Sequence, residues 1–398
     1  MRRYRYGVIL PLLLLIMAAL PAAVIAYGVH PFWGQYPHGI ELIVLSRRLQ
    51  WPLLALTVVL CLILIGLIVA GRRRAWWLIG LAPILALLAH HFALDPDSAF
   101  LVNGQAAFVS AEQATLGEED WVVGLIDGGE ATAYPFAALY PAPVLVQTDQ
   151  QSPLILLWSA FANRALAVRI DRSIKARDLE IVSMPANTPL VYNARLGQFI
   201  NGVTGLTLQG QRPAGFGAAI PTIKTTWQRW RALHPQTRVL LAPAQASRPA
   251  PSRPLLPFYP MPAAARGVAT VAMICTTRPA AVLDSDLTAQ PKNFPEHLLL
   301  LRSPATGCAV AFDRQVDDLF PIFRAKRAAK YPEAVMVDAD SKSLWSADGR
   351  AVAGPLAGRK LHAIDVDDGV YLGVLRVWYP DLPLLSPLPA GDAAPHRP

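Results

Sequence analysis

The sequence predicts a membrane-anchored multidomain protein: three N-terminal transmembrane α-helices, then two tandem β-rich domains of α+β type with mainly antiparallel sheets. Three observations lead there. The first 94 residues hold three long apolar stretches. The remainder reads as short β-branched or apolar runs separated by Gly, Pro, Asn and Asp turns. Sequence blocks recur in order on either side of a proline-rich break. Bulk composition agrees, since 53% of the 398 residues are hydrophobic and 16% charged, against about 25% charged in ordinary globular chains.

The apolar stretches cover residues 8–26, 52–71 and 76–94. An α-helix rises about 1.5 Å per residue and the hydrocarbon core is about 30 Å thick, so about 20 residues are needed to cross. All three stretches reach that length, the third with Pro83 inside it. Arg2, Arg3 and Arg5 precede the first, and Arg72, Arg73 and Arg74 separate the second from the third. Cationic clusters stay on the cytoplasmic side. Three crossings then place everything after residue 94 outside the cytoplasm, on the periplasmic or extracellular face of a bacterial inner membrane. Arg47 and Arg48 run against that rule. A cleaved signal peptide is the alternative for the first stretch, whose apolar run is longer than the usual signal core.

The formal charge of +8 is concentrated in this region. Residues 1–94 contain eight arginines against Glu41, or +7, and the remaining 28 basic and 27 acidic residues sum to +1. No basic folded face remains for nucleic acid. The expected partners are the lipid bilayer and a membrane protein or a second copy of the chain.

After the membrane region, 1–94, the chain divides into a first β-rich domain, 98–241, a proline-rich linker, 242–262, a second β-rich domain, 263–386, and a disordered tail, 387–398. The linker carries too many prolines for a helix or a central strand and reads as a semi-rigid spacer. Five blocks recur across it: Val123–Tyr134 with Val271–Val282, Ala167–Arg172 with Ala309–Arg314, Leu190–Asn193 with Val335–Asp338, Gln198–Asn201 with Ser343–Ser346, and Leu233-His-Pro235 followed by Val239-Leu240 with Trp378-Tyr-Pro380 followed by Leu384-Leu385. Their spacing stays between 142 and 148 residues, the pattern of a tandem duplication. Helical spacing of Trp227, Trp230 and Leu233 predicts a helix over 223–234, and a second is expected over 316–331.

These blocks together resemble the bacterial family known as domain of unknown function 3179, over most of 120–241 and again over 268–386. The carriers are Ala309-Val-Ala-Phe-Asp-Arg314, Ser343-Leu-Trp-Ser346 and Ala351-Val-Ala-Gly-Pro-Leu-Ala-Gly358, and in the first half Asp127-Gly-Gly-Glu-Ala-Thr-Ala-Tyr-Pro135, Leu190-Val-Tyr-Asn193 and Thr226-Trp227. The resemblance implies a fold rather than an activity. Where relatives carry Cys-Pro-x-Cys-Gly, this chain reads Ser303-Pro304-Ala305-Thr306-Gly307, and the first half has Ala160 to Arg164. Where they carry acid and His positions after Tyr-Pro, it has Ala142, Pro143, Val146 and Gln147. The polar signature of the family is therefore expected to be lost.

Of three cysteines, Cys61 lies in an apolar stretch, while Cys275 and Cys308 are either a possible disulfide of an oxidising compartment or two buried thiols. Asp338/Asp340 and Asp365/Asp367/Asp368 could hold a hard cation but read more simply as turn residues. Asp171-Arg172 and Asp313-Arg314 recur, either as an anion site or as internal ion pairs. His90 and His91 could serve haem, yet adjacent helical residues diverge by about 100° and suit an interface anchor better. No hydrolase, Walker or dinucleotide motif is present, and no cofactor or metal is expected.

The expectation is a non-catalytic accessory or scaffold protein with aromatic surfaces at Phe32-Trp33, Trp76-Trp77 and Leu255–Tyr259. The rival is an enzyme or small-ligand binder with a second-domain pocket of Ser303, Thr306, Cys308, Asp313, Arg314, Asp338 and Trp345. Convergence of those side chains on one concavity separates the two.

Overall fold

A computed structural model describes residues 2–70, 75–94, 100–148, 153–243, 250–276, 278–326 and 330–388. The Arg72–Arg74 cluster and the tail from 389 lie outside them.

The apolar stretches fold as helices α1 (Arg2–Tyr27), α2 (Gly39–Ala70) and α3 (Leu81–Leu94). Two of them are long and apolar enough to cross a membrane, over Ile9–Tyr27 and Gly39–Ala70. The expected third span is shorter. At 14 residues, α3 measures about 21 Å, because residues 75–80 take a 3-10 turn and Pro83 lies in its first helical turn. It runs parallel to α1, with Gly80 against Leu15 and His90 beside Tyr27 at 5.8 Å between rings. Trp77, expected on the surface, is buried among Leu14, Ala18 and Leu64.

Helix α2 begins at Gly39 rather than near residue 52, so its first three turns precede the apolar run. They pack on protein. Gly28 lets α1 approach Ser46 closely, since a Cβ there would lie 2.1 Å from Ser46 Oγ. Val29 and Ile43 join Val182, Leu190 and Phe199 in one buried cluster.

After the helices the chain runs through two successions of strands. The first comprises β1 (Val102–Asn103), β2 (Phe108–Ser110), β3 (Trp121–Asp127), β4 (Glu130–Pro135), the short helix α4 (Phe136–Leu139), β5 (Val144–Gln147), β6 (Leu154–Ser159), β7 (Arg164–Ile170), β8 (Leu179–Ser183), β9 (Leu190–Asn193), β10 (Gln198–Asn201), β11 (Phe216–Ile220), β12 (Thr222–Thr226), α5 (Trp227–Leu233) and β13 (Arg238–Leu240). The second comprises β14 (Thr270–Ile274), β15 (Ala280–Leu283), β16 (Lys292–Asn293), β17 (Leu298–Arg302), β18 (Ala309–Asp313), β19 (Phe323–Ala325), β20 (Ala334–Asp338), β21 (Leu344–Ser346), β22 (Ala351–Ala353), β23 (His362–Ile364), β24 (Val366–Tyr371) and α6 (Leu372–Trp378).

Most strands of the sheets correspond between the halves, with β1, β2 and β22 the additions. Order β12-β3-β4-β13 answers to β24-β14-β15, where Leu384 bridges Ala281 in parallel as β13 pairs with β4. Order β5-β6-β7-β11 answers to β16-β17-β18-β23, and β10-β9-β8 to β21-β20-β19. Each recurring sequence block falls on matching elements of the two series. Each half has a core of its own, around Trp158, Phe136 and Leu156 in one and around Leu299, Phe312 and Trp345 in the other, and a further buried cluster joins Ala162, Ala186 and Val203 to Val271, Met273 and Val370 where the halves meet. Close packing uses small residues where large ones arrive. Trp230 of α5 covers Gly124 of β3, where a Cβ would sit 2.2 Å from its ring.

Three expectations are corrected. Residues 223–226 extend β12, because β-branched Ile223, Thr225 and Thr226 fit a pleated strand, and the helix starts at Trp227. Residues 316–331 show no helix among the described positions; Pro321 interrupts it, and Phe323–Ala325 pairs with β20. The proline-rich segment does not stand off as a spacer. Trp121 N donates to Ser252 O at 2.8 Å, Asn187 Nδ2 donates to Tyr259 O at 2.9 Å, and Leu255 packs on two of the buried clusters of the first half.

Candidate functional site

Polar side chains gather where the two halves meet. Strand β7 opens with Arg164 as the chain leaves the β6–β7 turn, β12 carries Lys224, and β24 carries Asp367. All three side chains are at most 6% exposed. Lys224 Nζ lies 2.7 Å from Asp367 Oδ1, and Arg164 Nη1 donates to Asp367 Oδ2. Ala165 N adds a bond to the same oxygen at 3.2 Å. The remaining donors find carbonyls: Arg164 Nε reaches Val203 O at 3.1 Å and Lys224 Nζ reaches Asn163 O. Such neutralisation is what allows charges to be buried.

Around this triad the halves grip one another reciprocally. From the first, Asn163 Nδ2 in the β6–β7 turn donates to Gly369 O at 2.9 Å, and Ala162 O accepts from Tyr371 N at 3.2 Å. From the second, the β17–β18 turn reaches β12: Thr306 O accepts from Thr225 Oγ1 at 2.8 Å, and Cys308 Sγ donates to Lys224 O at 3.0 Å. Gly369 adopts φ +71°, in the left-handed region that glycine tolerates, where the β14–β24 register shifts. That irregularity lets one short strand serve its own sheet and the opposite turn.

Burial works against the Arg164 charge, yet Cys275 and the Asp367 carboxylate hold its pKa above the ordinary arginine value. Burial pushes the Cys275 thiol up to about 11, with Arg164 pulling the other way. Cys308 also rises to about 11, through burial and the charge of Asp368. Both cysteines are free, so the possible disulfide is not formed. Each sulfur faces a carbonyl instead, Met273 O for Cys275 and Lys224 O for Cys308. Thiols that stay protonated at neutral pH are poor nucleophiles and poor metal ligands.

A second cluster adjoins the first. Arg302 Nη2 lies 3.2 Å from Asp284, and Nη1 lies 3.0 Å from Asp368 and 3.1 Å from Gly307 O. Burial, followed by the charge of Asp368, raises the Asp284 carboxyl from 3.8 to about 6.

The residues proposed from sequence do not converge. Ser303, Thr306 and Cys308 lie in the turn against β12. At the end of β18, Asp313 Oδ1 accepts from Gln315 N at 2.8 Å, and Arg314 Nη1 donates to Pro321 O at 3.1 Å. Asp338 and Trp345 lie in the third sheet, fully buried. Asp338 accepts from Trp345 Nε1 at 3.0 Å, Ser341 Oγ at 2.7 Å and Ser343 N at 3.1 Å, which accounts for its carboxylate as a turn-holding group. Among the described residues no group of His, Cys, Asp and Glu could hold a metal ion. Asp367, grouped by sequence with possible cation ligands, receives cationic side chains from the other half instead. Arg164 and Lys224 went unnoticed because nothing in their local sequence marks them: Arg164 opens an apolar strand and Lys224 sits among threonines.

The first half also meets the helices. Arg47 forms an ion pair with Glu180 of β8, donates to Gln50 Oε1 at 2.6 Å and lies 5.5 Å from the Tyr192 ring centre. Arg48 lies 5.6 Å from the Phe199 ring centre. The two arginines that ran against the charge rule are docking groups.

Residues 101–279 match the family described as protein of unknown function, DUF3179. The match takes in the first half, the proline-rich segment and β14. No curated protein and no solved structure matches the chain.

Replacing Asp367 by Asn leaves two buried cations without a counter-charge. The expected loss is about 3–5 kcal/mol in urea unfolding followed by tryptophan fluorescence, whereas Asp313→Asn, in a turn, changes stability by less than about 1 kcal/mol. Asp284 keeps its proton in the folded chain at pH values where the unfolded chain has lost it. Its contribution, complete below about pH 4, is lost as pH rises through about 6. Melting temperature should therefore fall across that interval, and Asp284→Asn should flatten the slope and raise stability at pH 7.

Proposed function

We propose that this chain is a non-catalytic, membrane-anchored accessory or scaffold protein of a bacterial inner membrane, with its β-rich part on the periplasmic or extracellular side. One observation carries the reading: the polar groups proposed for chemistry are spent on internal bonds. Asp338 is saturated by four donors from Ser341, Ser343 and Trp345, Arg314 holds a carbonyl, and both exterior thiols are buried and protonated. An enzyme site in the second half would need those groups free and convergent.

The orientation follows from charge and packing. Arginines in the first turn of α1 and after α2 favour the cytoplasm. Because α3 is parallel to α1 and ends beside Tyr27, the chain leaves the helices at the end where β8, β9 and β10 are docked. The Arg47–Glu180 pair makes the outer turns of α2 a stalk. The shared strand order of the halves, together with the five spaced blocks, supports a tandem duplication of one β-rich unit. With a net charge of +1 beyond residue 94, nucleic acid is an unsuitable partner. The bilayer and a membrane protein or a second copy are the partners, and the function requires no cofactor or metal.

Purification of the tagged full-length chain in mild detergent should bring a stoichiometric membrane partner or a second copy, lost when residues 1–94 are removed. A full-length chain that is monomeric and alone at native expression levels sinks the scaffold reading.

A further inference from the structure

The segment 102–110 crosses between two sheets of the first half. Strand β1 pairs with β5, while β2 pairs with β13, so Gly104 and Ala106 roof the gap between them. Beneath lies a cavity of about 240 Å³, whose walls include Phe108, Val146, Gln147 and Arg238. It is smaller than the roughly 300–1,000 Å³ typical of sites for drug-sized ligands.

Gln147 is only 4% exposed. Its Oε1 accepts from the Tyr134 hydroxyl at 3.4 Å. Burial pushes the Tyr134 pKa up to about 12, so the hydroxyl keeps its proton for that bond. The amide is thereby oriented with Nε2 turned away from Tyr134, and Nε2 is buried without a hydrogen-bond partner. Arg238 Nε is likewise buried and unpartnered, while its guanidinium lies 5.2 Å from the Phe108 ring centre and 3.5 Å from Glu130. Buried donors are almost always satisfied in native proteins, so two at one cavity require an explanation.

We propose that this cavity binds the carboxylate of a small organic acid, through Gln147 Nε2 and the Arg238 guanidinium, with its carbon body against the Phe108 ring. A carboxylate offers two acceptor oxygens and one negative charge, matching two donor groups and one cation. Glu130, already facing Arg238, disfavours a dianion such as phosphate by like-charge repulsion. Gln147 acts as a neutral donor that orients the acid, and Arg238 supplies the attraction. The site is independent of the accessory reading, since a chain without partners would still bind.

The test is calorimetric titration of the detergent-solubilised full-length chain at pH 7 with acetate, propionate and butyrate, beside acetamide, propionamide and inorganic phosphate. The carboxylates should bind and the amides and phosphate should not. Gln147→Leu and Arg238→Gln should each weaken binding at least tenfold, and Gln147→Glu, equal in shape but negatively charged, should abolish it. Unchanged circular-dichroism spectra and melting temperatures would separate these losses from unfolding; Arg238 is partly exposed and its variant serves if the Gln147 variants do not fold. Failure of all three acids to bind, equal binding of amides or phosphate, or acid binding indifferent to folded Arg238→Gln overturns the proposal.

Discussion

Asp367 sits at 3% exposure between Arg164 and Lys224, and the arrangement of the exterior depends on that carboxylate. Taking an ion out of water costs several kcal/mol after relaxation, so none of these three groups is tolerable in the core of its own half. They become tolerable only when β7 and β12 of one half close upon β24 of the other. The interaction therefore selects one relative placement of the halves, where apolar contact alone would permit sliding. The reciprocal turns tighten it: Ala162 O accepts from Tyr371 N of β24, and Thr306 O accepts from Thr225 Oγ1 of β12.

The same logic operates at the helices. Arg47 and Arg48 would be costly in hydrocarbon, but Glu180, Tyr192 and Phe199 receive them on the protein. The first turns of α2 thus belong with the β-rich part, while the apolar run that follows Trp51 leaves Leu56, Val58, Val59, Leu62 and Ile63 exposed. Between them, the ion pair at the stalk and the triad between the halves give a route of rigid contacts from α2 to β24, with the proline-rich segment packed beneath rather than hinging freely.

Local chemistry made much of this legible. Short apolar or β-branched runs between turn residues marked β3, β7, β9 and β18, and the repeated blocks landed on matching strands because turn residues and core-facing positions are set within a few residues of each other. Apolar length exposed α1 and α2. Where the reading failed, the deciding partner was distant or the signal weak. Trp227 and Trp230 announced α5, yet the β-branched residues ahead of them preferred the ladder with β3. The short α3 was hidden inside an apolar run whose breakers, Gly80 and Pro83, were discounted. The triad was out of reach altogether, since Arg164 and Asp367 are 203 positions apart, and a cluster of acids on one strand gives no sign whether a metal or a guanidinium will meet it. The unfilled donors of Gln147 and Arg238 were equally invisible, because they are defined by an absence of partners in three dimensions.

Native-state hydrogen exchange by mass spectrometry on the full-length chain tests the central claim, that the two halves are locked as one unit by the buried triad. The account predicts that amides of β7, β12 and β24 share one high opening free energy and lose protection together when urea is added. Exchange of β24 and its sheet at a markedly lower urea concentration than β7 and β12 would contradict it, showing halves that open separately.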